Sequence, residues 1–134
     1  MTWLYKTEPF SNELIDKYVG FVYIIRNKDN GKYYIGKKSF TKVKRYQKNK
    51  KKKRMLIESE WESYTGSNLD LNEDIANGAR IEKEILHLCK SKAEMSYYEA
   101  KLQFEYDVLR DEKAYNQWIM VRVRKTNIIG LKND

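Results

Sequence analysis

Apolar and polar positions along the chain follow two periods. From Gly20, "GFVYIIRN" is a run of aromatic and β-branched residues, and "KYYIG" answers it across Asp29-Asn30-Gly31. Such runs form strands because these side chains pack well on a pleated surface. Asn30-Gly31 is a two-residue turn signal, since both central positions of a type I′ turn need positive φ. The pattern predicts a hairpin over 21–36 with Tyr23 in one strand and Tyr34 in its partner. A third strand is predicted in "ARIEKEILHLC", where Ile81, Lys83, Ile85 and His87 alternate with Glu82, Glu84, Leu86 and Leu88.

Elsewhere the spacing is helical. "SNELIDKY" predicts a short helix capped by Ser11 or Asn12. Ile57, Trp61 and Tyr64 recur at helical intervals, which predicts a helix with Arg54 at its N-terminal edge. Ser67 or Asn68 can cap another, running to Asn77 and stopped by Gly78. The longest helix opens with a capping box, Ser91 and Glu94. Inside it Met95, Tyr98, Leu102, Tyr106 and Leu109 form one apolar stripe, and Glu99, about 100° further round than Tyr98, sits at its edge. The end, "YNQWIMVRVR", predicts a further strand or a packed tail.

These elements make an α/β (α+β) domain: a small antiparallel three-stranded sheet, centred on the hairpin and 81–89, flanked by helices. At 134 residues one domain is expected over 1–134, with an N-terminal extension (1–19), a basic insertion (42–54) and a packed C-terminal tail (116–134). No apolar run approaches the ~20 residues of a membrane span, and the start lacks the pattern of a secretory signal, so the chain reads as intracellular. One cysteine, Cys89, and one histidine, His87, exclude a zinc site built from Cys and His.

Charge changes the picture. The net charge is +8, yet "KVKRYQKNKKKKR", Lys42 to Arg54, holds nine basic residues and no acid, which leaves the remainder at 18 basic and 19 acidic. Such a segment attracts a polyanion, nucleic acid first among them. A solvated flexible loop and a localisation signal are the other readings of a basic run.

The ordered residues resemble a family. Paired "VY" and "YIG" strands, a basic segment with arginine, a helix with an isolated Glu99 and a late Asn116 are similar to the GIY-YIG nucleases, and within them to the Seg-like endonucleases of phages. "YIGKK" at 34–38, "ESEWESYTGSN" at 58–68, "EILHLCKSKAEMSYYEAKLQFE" at 84–105 and "YNQWIMVRV" at 115–123 carry the likeness, roughly from Gly20 to Val123. The first motif departs in reading Gly20-Phe21-Val22-Tyr23, with the glycine displaced. The arginine is also ambiguous: Arg45 has the shorter spacing from Tyr34, and Arg54 opens the predicted helix and is favoured. Glu58 stands where some members carry a histidine.

The resemblance implies a GIY-YIG-like fold and a metal-dependent DNA endonuclease of the phage homing type, acting inside an infected bacterial host. Tyr23 would orient or deprotonate the attacking water, with Tyr34 hydrogen-bonding in the same site. Arg54 or Arg45 would stabilise the phosphate charge, Glu99 would hold Mg²⁺ (or Mn²⁺), and Asn116 would support. A phenol of pKa ~10 needs nearby positive charge to act as base. Lys37, Lys38, Lys42, Lys44, Lys50, Lys51, Lys52 and Lys53, with Ser67 and Asn68, would contact DNA. A binding protein of the same fold without catalysis and a structure-specific repair nuclease are the alternatives. Tyr33, Tyr98 and Tyr106 are assigned to packing, Trp61, Trp118 and Cys89 to the core, and His87 to a partly buried position.

Overall fold

The computed structural model describes residues 2–131; Met1 and residues 132–134, which the terminal segments above include, lie outside them. Seven strands run β1 (Trp3–Tyr5), β2 (Glu8–Pro9), β3 (Gly20–Asn27), β4 (Tyr33–Ser39), β5 (Thr41–Lys48), β6 (Lys51–Glu58) and β7 (Ile81–Cys89). Three α-helices, α1 (Leu69–Ala76), α2 (Lys92–Glu105) and α3 (Lys125–Ile128), and a 3₁₀ turn over Asn12–Lys17 complete them.

The main sheet has five strands, not three, in the order β2-β1-β7-β3-β4. Trp3–Tyr5 pairs parallel to β7, so the N-terminal residues are part of the sheet. Three residues are too short a run to show alternation, which is why the sequence pattern missed them. The Trp3 indole Nε1 donates to the Trp61 carbonyl at 2.8 Å and fixes this edge to the segment after β6.

β3 lies between β7 and β4, and nearly all of it is buried. Phe21, Tyr23 and Ile25 face one core with Trp3, Phe10, Phe40, Trp61, Leu71 and Ile85. Val22 and Ile24 face the other, with Ile35, Cys89, Met95, Tyr98 and Val108. Facing two cores explains why β3 reads as a continuous apolar run. The β3–β7 register slips between Val22 and Tyr23, where Val22 pairs His87 and Tyr23 pairs Ile85, leaving Leu86 as the extra residue of a bulge.

The turn after β3 is longer than expected. Only Gly31 has positive φ, and its N–H donates to the Asn27 carbonyl at 2.9 Å across a wider loop. A two-residue turn with both φ positive sits instead at Asn49-Lys50 (52° and 62°), closing β5 on β6.

That hairpin replaces both the basic loop and the helix expected from Arg54. Residues 55–58 are strand, and the apparent helical spacing arises because Trp61 and Tyr64 turn back into the core beyond it. The base of the hairpin is anchored: the Ser59 N–H donates to the Phe40 carbonyl at 2.8 Å, and the Ser59 hydroxyl to the Ser39 carbonyl at 2.6 Å.

α1 begins at the cap Asn68, whose Oδ1 accepts from the Leu71 N–H, and ends before Gly78 at φ +96°. α2 is capped by Ser91 as expected, although the Glu94 carboxylate accepts from the Lys90 N–H rather than from Ser91. Its apolar stripe stops early. The chain reverses at Asp107 (φ 56°), so Tyr106 and Leu109 are exposed. Residues 117–124 are irregular, with Trp118 and Met120 exposed where a strand or packed tail was expected. No helix among the described residues is long and apolar enough to cross a membrane.

Candidate active site

The site forms where β4, the last strand of the sheet, has no further strand beside it among the described residues. Residues 113–116 run along part of that edge: the Tyr33 N–H donates to the Lys113 carbonyl and the Tyr115 N–H to the Tyr33 carbonyl. One step further the backbone departs and the Asn116 side chain continues the ladder. Its Oδ1 accepts from the Ile35 N–H at 3.1 Å and its Nδ2 donates to the Ile35 carbonyl at 2.8 Å. Gln103 of α2 donates to the same carbonyl at 3.0 Å. Ile35 lies between Tyr34 and Gly36, so these two amides fix the "YIG" strand.

Tyr23 and Tyr34 are diagonal rather than opposite. Tyr23 pairs with Gly36 and Tyr34 with Ile25, which leaves both rings on one face with centroids 6.3 Å apart. Tyr64 meets the Tyr23 ring edge-on at 6.1 Å. Position 36 has room only for hydrogen: a Cβ there would stand 2.5 Å from the Tyr23 hydroxyl and 2.9 Å from the Tyr34 ring. Gly66, at φ +84°, passes over the same hydroxyl, 3.3 Å from where its own Cβ would be.

Tyr23 itself is 1% exposed. Burial pushes its phenol well up from the ordinary value, and the neighbouring Tyr64, Tyr34 and Glu99 add to the shift. The half-buried Tyr34 phenol is also pushed up by burial, while its contact with the Ser67 hydroxyl at 3.4 Å acts the other way. Both are neutral phenols.

Tyr34, Glu99, Gln103 and Asn116 line one pocket of about 360 Å³, with Ser67, Asn68 and Asp70 on its wall and Leu69, Trp118 and Met120 as an exposed apolar rim. The Glu99 side chain is 16% exposed, with the Lys37 ammonium 4.0 Å from its carboxylate. Burial raises its pKa and Lys37 partly offsets this. A desolvated carboxylate facing a polar pocket suits a hard divalent cation, which completes its shell with water and phosphate oxygens. Asp70 is a second acid on the pocket wall; in the sequence it reads as an ordinary first-turn helix acid.

Among the charged candidates, Lys37 donates to the Ser96 hydroxyl at 2.8 Å beside Glu99. Lys38 lies over the Tyr64 ring at 4.3 Å and pairs with Glu60 at 2.7 Å; Lys42 reaches the same carboxylate at 3.1 Å. Asn68 is committed to capping α1 and to the Tyr115 carbonyl, at 3.1 Å. Arg45 and Arg54 are not brought to the pocket. They face one another across the β5–β6 hairpin, with Lys44 and Lys50–Lys53 exposed around them.

A second cluster, His87, Cys89 and Glu94, brings its ligand atoms within 4.8 Å of one another. Here His87 stacks on Tyr98 at 3.8 Å between centroids, Glu94 caps Lys90, and burial pushes the Cys89 thiol up to about 12. Cys89 is fully buried in the second core and Glu94 is engaged at the start of α2, so these side chains take part in packing.

Residues the sequence reading missed are Gly36, Gly66, Tyr64, Gln103 and Asp70. For Gly36 a signal existed, because glycine inside a strand marks close approach of another group.

A family model described as "Putative endonuclease segE, GIY-YIG domain" matches residues 3–119. The chain belongs to this family of GIY-YIG endonuclease domains. Neither a curated protein nor a solved structure gives a significant match.

Proposed function

We propose that the chain is a metal-dependent DNA endonuclease of the phage homing type, hydrolysing phosphodiester bonds at the pocket of Tyr34 and Glu99. The observation that carries this reading is the Tyr34 phenol and the desolvated Glu99 carboxylate sharing one pocket. Glu99 is the ligand for Mg²⁺ or Mn²⁺, which, when bound, supplies Lewis-acid stabilisation of phosphate and leaving-oxygen charge. Tyr34 presents its hydroxyl to the attacked phosphate or its water; Tyr23, which the resemblance assigns to that water, is buried behind it and packs against Gly36 and the Tyr34 ring. Lys37 adds positive charge beside Glu99. Asn116 and Gln103 act as positioning residues through Ile35. Lys38 and Lys42, and Lys44 and Lys50–Lys53 on the hairpin, hold the flanking DNA backbone, with Ser67 and Asn68 at the pocket wall.

A second reading, a DNA-binding protein of this fold without catalysis, is favoured by one observation: among the described residues no arginine lines the pocket. Cleavage of supercoiled plasmid and phage DNA with Mg²⁺, beside Glu99→Gln and an EDTA control, separates the two. Cutting by the wild type, with binding but no cutting by the Gln variant, supports the nuclease. Equal binding with no cutting by either hands the site to the binding protein. A branched-junction substrate in the same series identifies a structure-specific repair nuclease, which would cut it in preference to linear DNA.

A further inference from the structure

The β5–β6 hairpin is a ribbon without a core. Eight cross-strand pairs run from Thr41↔Glu58 to Lys48↔Lys51; β5 is exposed throughout, and Ile57 alone is half-buried in β6. Eight residues per strand give a ribbon ~27 Å long. Two-stranded hairpins without a packed face are marginal in water, and like charges directly opposite weaken them further. Here Arg45 faces Arg54 and Lys48 faces Lys51. Among the described residues no ion pair engages Lys44, Arg45, Lys48, Lys50–Lys53 or Arg54. Such a ribbon is stabilised by an incoming polyanion.

The register also sorts the cations. Residues directly opposite share a face, and faces alternate along each strand. Arg45, Arg54, Gln47 and Lys52 therefore lie on one face. Lys44, Tyr46, Lys48, Lys51 and Lys53 lie on the other. The two arginines and the glutamine, the side chains that pair bidentately with guanine and adenine edges, are thus segregated from most of the lysines.

We propose that this ribbon enters the major groove of B-form DNA, its Arg45–Arg54–Gln47 face towards the base edges and its lysines on the phosphates. The inference rests on the nuclease reading for its DNA substrate. It makes Arg45 and Arg54 residues of sequence recognition rather than of the catalytic pocket. Width supports the assignment, since the major groove (~12 Å) admits a two-stranded ribbon. The deep, narrow major groove of A-form RNA does not, which makes duplex DNA the partner.

The test reads binding, on the Glu99→Gln background, so that no cutting is required. A randomised duplex library is selected, then probed by guanine-N7 methylation interference and by competition with the minor-groove binder netropsin. The expected result is interference at one or two guanines, lost in Arg45→Ala or Arg54→Ala together with roughly tenfold to hundredfold of guanine discrimination. Lys51→Ala and Lys53→Ala should weaken all sequences alike and reduce the salt slope by about one each. All four side chains are exposed, and circular dichroism checks that each variant folds. Displacement by netropsin without N7 interference overturns the proposal, as does equal affinity for double-stranded RNA. So does guanine preference left intact in both arginine variants. Interference by N7 methylation in a chain whose wild type cuts nothing would refute the nuclease and leave the ribbon standing.

Discussion

The Tyr23 hydroxyl lies over Gly36, its partner in the β3–β4 ladder, so closely that a single methyl group at position 36 would stand 2.5 Å from it. The same methyl would meet the Tyr34 ring at 2.9 Å. Glycine at this position therefore sets the relative placement of the two phenols.

Gly36→Ala is expected to destabilise the fold by about 1–3 kcal/mol, the usual cost of overpacking a rigid site. Tyr23 is locked in the core and Tyr34 packs half-buried against it, so relief requires moving the tyrosines. Cleavage should fall by more than stability alone explains. Denaturant unfolding beside single-turnover cleavage, at a temperature where the variant remains folded, checks both. An alanine variant with wild-type cleavage would mean that the phenols' spacing is irrelevant to the chemistry.

Glu99 carries a stability cost that its replacement should reveal. Burial raises its folded pKa above the ordinary 4.5. A raised pKa contributes stability that is present below the unfolded value and lost as pH rises through the folded one. At neutral pH the ionised side chain is therefore unfavourable, and Lys37 only partly offsets this. In EDTA, Glu99→Gln should raise the melting temperature by a few degrees at pH 7.5, with the gain shrinking towards pH 4. Added Mg²⁺ should stabilise wild type and not the variant. A lower melting temperature in EDTA would mean that the Lys37 contact outweighs desolvation.

The two tryptophans assigned together to the core have opposite environments. Trp61 is 2% exposed among Phe10, Phe21 and Phe40, and Trp118 is 69% exposed on the pocket rim. Trp61→Ala should cost about 3–5 kcal/mol, and Trp118→Ala within about 0.5 kcal/mol. Urea denaturation of the pair decides it; comparable losses would show that the 117–124 segment packs in solution.

What the sequence made legible was what period and local chemistry specify. Strand β3, the Asn68 and Ser91 caps and the stop at Gly78 follow from residue type at short range. Tyr34, Glu99 and Asn116 were found through an ordered set of motifs, and they do line one pocket. The hairpin was missed because "KVKRYQKNKKKKR" has almost no apolar alternation, and its pairing depends on a turn at Asn49-Lys50 that lacks glycine. The parallel pairing of β1 with β7 joins residues about 80 apart, and no local pattern encodes it. Trp118 misled because an aromatic residue in sequence carries no statement of which side of the chain meets solvent.

Asn116 offers the sharpest separation of positioning from chemistry. Its amide makes two hydrogen bonds to Ile35, in a site where Asn116 is 7% exposed. Asn116→Ala leaves the Ile35 N–H without that acceptor, whereas the Ile35 carbonyl keeps Gln103. The cost should be about 2–3 kcal/mol, a lost bond plus one buried orphan. Asn116→Asp retains the acceptor, and its protonated form also retains the donor. Burial favours that protonated form and raises the new group's folded pKa. The aspartate variant should therefore approach wild-type stability at acid pH and lose it as pH rises through the folded pKa. Alanine should show no such pH-dependent difference from wild type. Unfolding of all three proteins at pH 4.5 and pH 8 reads this directly. A pH-independent aspartate variant would mean that water, not the side chain, completes the ladder beyond β4.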